Sequence, residues 1–248
     1  VGFLGFLLLG SALICRVDPV ALIIGIPRGL ELVRHLFPPS WETFPELMGP
    51  ALETVEIAFV GTALGACLSL AVGLAAAQNI NPNRLLRNTV RTFLSAERAL
   101  PDLIVVLFFV AIVGLGPFPG VMALVAGSIG MLGKLFADAI EEVDPRPVES
   151  MVAIGATKAQ VIRYAVLPQV IPSLIANTLY RFEVNIRMSI FLGVVGAGGI
   201  GFNLVVFLRL LKYQEAMAAI LTILILVTLC EKLSERIRRI IIGQELLR

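Results

Sequence analysis

The stretch from Pro172 to Val195 reads as an apolar helix, yet it carries Asn177, Thr178, Tyr180, Arg181, Glu183, Asn185, Arg187 and Ser189. An ionisable side chain near the centre of a bilayer costs at least ~2.5 kcal/mol on insertion scales, so such groups face a bundle interior or a water-filled path. Asn177, Arg181, Asn185 and Ser189 are spaced four apart and form one stripe on a helix, a candidate lining for a pathway. Guanidinium groups present forked donors that suit an anion with several oxygens, which singles out Arg181 and Arg187 for contact with such a species in transit. Glu183 and Arg187 are also four apart; the alternative is that they neutralise each other and only lock the helix.

Other chemistry is scarce. The single histidine, His35, cannot build a histidine-rich zinc site, and Cys15, Cys67 and Cys230 all lie in apolar stretches, where a thiol behaves as a small hydrophobe. Neither a metal nor a disulfide framework is expected. There is no His-Glu-x-x-His, no Gly-x-Ser-Gly nucleophile motif and no Gly-x-x-x-x-Gly-Lys-Ser/Thr phosphate loop, so a membrane-embedded hydrolase lacks support and any nucleotide must be bound by another chain. Gly196-Ala-Gly-Gly-Ile-Gly201 satisfies the letter of the dinucleotide fingerprint, but it follows a membrane helix instead of a strand. Gly196, Gly198, Gly199 and Gly201 are expected to permit a broken backbone beside a cavity, where amides could meet an anion, or simply close packing.

The elements that must position these groups are membrane spans. The chain is 58% hydrophobic and 15% charged, against about a quarter charged in soluble domains, and its mean hydropathy is +0.92. Runs near the roughly 20 residues that cross a bilayer fall at 1–15, 51–77, 100–114, 118–140, 172–195 and 214–233. An all-α polytopic bundle of about six spans follows, with residues 1–49 forming a clipped first span plus an outer interfacial helix, 50–240 the core, and 241–248 a tail. The interfacial helix opens at Asp18-Pro19, with Leu22, Ile26, Leu30, Val33 and Phe37 on one face and Arg28, Glu31 and Arg34 on another. Pro38, Pro39, Trp41 and Pro45 are expected to form an extended outer connection. Arginines between 79 and 98, basic residues around 134–163 and the tail's Lys232, Arg236, Arg238 and Arg239 mark the cytoplasmic side; Arg209 and Lys212 are exceptions. Gly61, Gly65, Ser69, Gly73 and Ala77 recur every four residues and make a ridge that another helix can approach closely.

Between two spans lies a mostly polar hairpin, 145–168. Pro145 and Pro147 stop what precedes, Glu149 begins a short helix, and Gly155 ends it in a left-handed cap. Thr157 then caps a second short helix, with Val161, Ile162 and Ala165 on its apolar face, and Leu167-Pro168 ends it before the next span. This run resembles the cytoplasmic signature of ABC importer permeases: Glu-Ala-Ala, three residues, Gly, nine residues, then Ile-x-Leu-Pro. Glu149, Gly155, Leu167 and Pro168 stand in register, while Ser150, Met151 and Ala165 depart from it. The likeness covers about residues 50–240 through Gly114-Leu-Gly-Pro117, Gly133-Lys-Leu135, Glu149 to Pro172, Tyr180 to Arg187 and Leu192 to Gly201. It is nearest to permeases for phosphonate and related phosphorus oxyanions, with methionine-type permeases sharing the glycine pattern.

The resemblance implies a type I importer fold of methionine-permease type in a bacterial inner membrane. It also implies a homodimer with two ATPase subunits that bind ATP and Mg, an extracytoplasmic solute-binding protein and no nucleic acid. Glu149, Gly155, Ala156, Thr157, Leu167 and Pro168 would couple to the ATPase. A stand-alone channel or ion-coupled carrier could use the polar span but leaves the hairpin unexplained.

Overall fold

The computed structural model describes residues 18–245 and isolated positions before them, so the expected span at 1–15 falls largely outside the described residues. Among the described residues ten α-helices follow one another: α1 (Pro19–Leu36), α2 (Phe44–Ala76), α3 (Arg84–Glu97), α4 (Asp102–Val113), α5 (Pro117–Glu141), α6 (Pro145–Ala153), α7 (Lys158–Val161), α8 (Leu167–Gly193), α9 (Gly199–Arg209) and α10 (Tyr213–Glu245). Among the described residues four stretches are long and apolar enough to cross a membrane: Trp41–Ala76, Pro117–Glu141, Lys158–Gly193 and Tyr213–Ile241. These contain the spans expected at 51–77, 118–140, 214–233 and most of 172–195.

The expectation at 100–114 needs correction. That segment is α4, with 12 residues, too short to cross unaided. It follows α3 after an interruption at 98–101, and the two lie in turn along α5, with Arg91 against Glu141, Glu97 against Gly130 and Asp102 against Gly127. Hydropathy favoured α4 and passed over α3 because α3 is amphipathic and carries three arginines. The outer connection is also shorter than expected: after Pro39 and Ser40 the chain turns through a 3-10 segment, Trp41–Thr43, straight into α2, with Pro45 in its first turn. There Pro45 has no amide to leave unbonded. α1 forms as expected, with Asp18 accepting from the Val20 and Ala21 amides.

The small-residue ridge determines the main packing. A Cβ on Gly61 would meet Leu124 Cβ at 2.7 Å, one on Gly73 would meet Phe136 Cβ at 2.9 Å, and Gly65 lies directly under Ser128. α2 and α5 therefore approach backbone to side chain along their length, the geometry that small-xxx-small ridges permit. Below them Val166, Val170 and Leu174 pack on Leu132, Phe136 and Ile140. At the same end Arg91 of α3 donates Nε to Ala76 O at 2.8 Å and pairs with Glu141, so one cation caps the C-terminus of α2 and ties it to α5.

On the opposite end, two glycine turns meet. The Gly116 amide donates to Gly196 O at 2.9 Å, joining the Gly114–Pro117 turn to the α8–α9 break. α10 begins there, where Tyr213 stacks on His35 at 6.0 Å between centroids.

Candidate functional site

Two constellations stand out, the exposed hairpin and a polar seam inside the bundle. The hairpin begins at Asp144, which accepts from the Arg146 amide at 3.0 Å and pairs with the Arg146 guanidinium at 2.6 Å. The Arg146 side-chain hydrogen bond, with the backbone bond next, holds the Asp144 carboxyl below its usual range. α6 thus starts at Pro145, four residues before the expected Glu149, because Asp144 supplies the cap and Pro145 fits the first helical position. Gly155 does end the helix, at φ +81°. Its amide reaches Val152 O at 3.0 Å and the Ala156 amide reaches Met151 O at 3.1 Å, the paired bonds of a Schellman cap.

Thr157 caps α7 as expected. Gln160 returns its side chain to the Thr157 amide at 2.8 Å, which completes a capping box. Leu167-Pro168 does not end this helix, contrary to expectation. Five residues of π-helix, Ile162–Val166, carry the chain from α7 into α8, and Pro168 falls in the first turn of α8. The wider turn accommodates a proline that lacks an amide, so Lys158 to Gly193 runs as one rod. Gln169, which the sequence reading passed over, accepts from the Asp144 amide at 3.0 Å and donates to Ala165 O at 2.7 Å, closing the hairpin's base. The tip is exposed and apolar: Ile154 is 78% and Val152 60% accessible, beside a recess lined by Met151, Gly155, Gln160 and Tyr164.

The polar stripe of α8 is mostly buried. Arg181, Asn185 and Ser189 are buried, whereas Asn177 is half-buried, 3.5 Å from Ser173 Oγ. The Thr62 hydroxyl donates to Ala58 O and the Ser128 hydroxyl to Leu124 O, both at 2.6 Å, leaving their oxygens to accept. Asn185 Nδ2 donates to both, at 2.8 and 3.0 Å, and Arg181 Nε donates to Ser128 Oγ at 3.1 Å. Ser189 donates to Thr54 O at 3.2 Å. Ser128, missed in the sequence, is therefore the hub of the seam. Ser128→Ala orphans donors on both Arg181 and Asn185; we expect a stability loss of about 3 kcal/mol, read as a lowered melting temperature of the detergent-solubilised protein.

Glu183 and Arg187 do not neutralise one another. Glu183 accepts from Arg238 Nη2 at 2.5 Å, and Arg187 pairs with Glu231, so both bind α10 to α8. Helical spacing proposed a partner one turn away; the facing helix supplied better ones.

The glycine run makes a tight backbone break, with φ of +91° at Gly196, +79° at Gly198 and +71° at Gly199. A Cβ on Gly193 would meet Gly198 O at 2.6 Å, and Gly201 lies against the Ile190 carbonyl. Two of the glycine amides are engaged within the chain, Gly196 N with Gly193 O at 3.0 Å and Gly199 N with Glu53 Oε2 at 3.1 Å, and the neighbouring Ile200 N donates to Thr54 Oγ1 at 2.9 Å. Glu53 thus occupies the positive end of α9 itself. Its signal in the sequence was a carboxylate that, with Glu56, interrupts an apolar span.

A bundle of long apolar helices with a buried ionic seam and a protruding hairpin defines a membrane-embedded transport subunit. The chain belongs to the family described as "Binding-protein-dependent transport system inner membrane component", whose profile matches residues 69–242, and it therefore resides in a bacterial inner membrane. It is 42% identical over 235 residues to the phosphite transport system permease protein PtxC of Stutzerimonas stutzeri, covering 95% of this chain and 86% of that one. It is 40% identical over 224 residues to the phosphate-import permease protein PhnE of Mycolicibacterium smegmatis, covering 90% of this chain but 42% of that one. Among solved structures, the inward-facing MetNI methionine ABC transporter superposes with a TM-score of 0.71 at 25% identity, covering 82% of this chain and 99% of that one. The all-α importer-permease fold follows, and the chain is a transport component.

Proposed function

We propose that this chain forms the translocation pathway for a phosphorus oxyanion, phosphite or a close relative, in an ATP-driven importer. A second copy of the chain, two ATPase subunits carrying ATP and Mg, and an extracytoplasmic binding protein complete the machine. The observation that carries the coupling role is the hairpin tip: Val152 and Ile154 stand exposed on a base fixed by Asp144, Arg146 and Gln169. An apolar knob on a rigid stalk suits a groove on a partner. Glu149, Gly155, Ala156 and Thr157 shape the knob, while Leu167 and Pro168 connect it to the continuous rod of α8. Closure of the ATPase pair on ATP would then shift α8 as a unit and rock the spans.

The cargo reading is supported by the names of the two relatives above and by Arg181, a guanidinium inside the bundle. Within the proposed pathway Arg181 is the contact of choice. Ser128 Oγ, which also accepts from Asn185, holds it in place; Ser189 continues the stripe, Asn177, Glu183 and Arg187 flank it, and Gly196, Gly198, Gly199 and Gly201 set the outer break. The likeness to the methionine transporter supports the shared architecture.

The test is purification of the tagged chain from its native membrane with whatever accompanies it, followed by uptake in proteoliposomes. ATP-dependent uptake of labelled phosphite or phosphate that requires the co-purified binding protein is expected. Uptake of methionine instead overturns the cargo assignment, and uptake without ATP overturns the importer.

A further inference from the structure

The interrupted pair α3 and α4 is the feature that neither the fold nor the coupling hairpin uses. α3 and α4 have 14 and 12 residues; end to end they reach ~39 Å at 1.5 Å per residue, enough for the ~30 Å hydrocarbon core, whereas neither suffices alone. Irregular backbone at membrane depth is tolerated where it lines a cavity or is buried in protein, and the ends of half-helices there bind ions. This break carries Glu97 at the end of α3 and Asp102 at the start of α4.

Against it α5 presents bare backbone. The Glu97 carboxylate fills the place a side chain on Gly130 would take. A Cβ on Gly127 would lie 2.6 Å from Arg181 Nη2 and 2.9 Å from Asp102 Oδ1, so the guanidinium and the carboxylate open into the same slot from opposite walls. They do not form an ion pair. Arg181 is 6% exposed, and its Nη2 has no hydrogen-bond partner. A desolvated cationic donor left unpaired is costly and calls for an occupant in some state of the protein.

We propose that this slot is the mid-membrane transit site for the oxyanion, with Arg181 as its donor and Asp102, backed by Glu97, holding the anion's place until α4 moves. The inference rests on the cargo reading above. With both carboxylates present the slot repels an anion, so occupancy requires withdrawal of α4, which packs chiefly on α5 and has a break at its base. Asp102 thereby links pathway opening to anion affinity: the closed state excludes cargo, and the open state exposes the unpartnered Nη2 of Arg181.

The experiment uses the complete transporter, with its binding protein and ATPase, and labelled phosphite. Asp102→Asn keeps the shape and removes the competing charge; at least threefold tighter phosphite binding is expected in the detergent-solubilised, ATP-free complex by equilibrium dialysis. Arg181→Lys in that background should abolish the gain, because one ammonium replaces the fork. Gly127→Ala places a methyl in the slot, displacing only the ends of flexible side chains, and at least tenfold slower uptake is expected with an unchanged melting temperature. Should Gly127→Ala fail to fold, the isosteric Asp102→Asn decides. Unaltered phosphite affinity in Asp102→Asn, or wild-type uptake in a folded Gly127→Ala, overturns the transit site while leaving the cargo reading intact. A wild-type complex that takes up no phosphorus oxyanion overturns the cargo reading first, and the site with it.

Discussion

Gly201→Ala is expected to yield almost no assembled permease. The first turn of α9 packs on the last turns of α8 backbone against backbone, and a methyl at 201 falls on the Ile190 carbonyl. A flexible side-chain tip could yield, but a helical carbonyl cannot move without breaking its own ladder. Separating the two helices withdraws Ile200 N from Thr54 and Gly199 N from Glu53, so the cap of α9 fails with the packing. Overpacking alone costs about 1–3 kcal/mol, and loss of the cap adds about 1 kcal/mol. Size-exclusion profiles and melting temperatures of the solubilised variant check this; a wild-type melting temperature contradicts the close approach. Gly49, with nothing within 4 Å of its Cβ position, is the matched control and should accept alanine freely.

The contrast shows what the sequence could and could not disclose. A ridge repeating every four residues at Gly61, Gly65 and Gly73 was legible because helical geometry fixes which side those residues share, and the facing side chains of α5 only had to exist. The left-handed cap at Gly155 and the box begun by Thr157 were legible for the same local reason. What failed was long-range. Helical spacing paired Glu183 with Arg187, yet their partners, Arg238 and Glu231, come from α10, and periodicity carries no information about the facing helix. The stripe at 177–189 was recognised as polar, but Ser128 and Thr62, single hydroxyls in apolar spans, gave no sign that they would receive it. α3 and α4 were misjudged because hydropathy weighs each segment alone, whereas two short helices joined by a charged break make a span only together. At the Gly196–Gly201 break the Gly199 amide is taken by Glu53, an internal anion more than a hundred residues away that local spacing could not reveal.

Gly155→Val should separate transport from ATP hydrolysis while leaving the bundle assembled. Nothing lies within 4 Å of a Cβ at this position, so the substitution creates no clash. Its effect comes from φ, +81° here: a left-handed residue with a Cβ costs about 1–2 kcal/mol, and a β-branched one tolerates it worst. That strain is relieved locally by opening the Schellman turn, which releases the Gly155 and Ala156 amides from Val152 and Met151 and reorients exposed Val152 and Ile154. The core keeps its packing, because the hairpin residues that reach it, Val148, Val166 and Leu167, lie away from the Gly155 turn. Uptake is expected to fall at least tenfold at an unchanged melting temperature, with ATPase activity no longer raised by the cargo-loaded binding protein. Gly155→Asn provides the decisive comparison, since asparagine accepts left-handed backbone and should retain most transport. A Val variant that transports like wild type removes the docking role from this tip, whereas loss in both variants ties coupling to the absence of a side chain instead of to the turn.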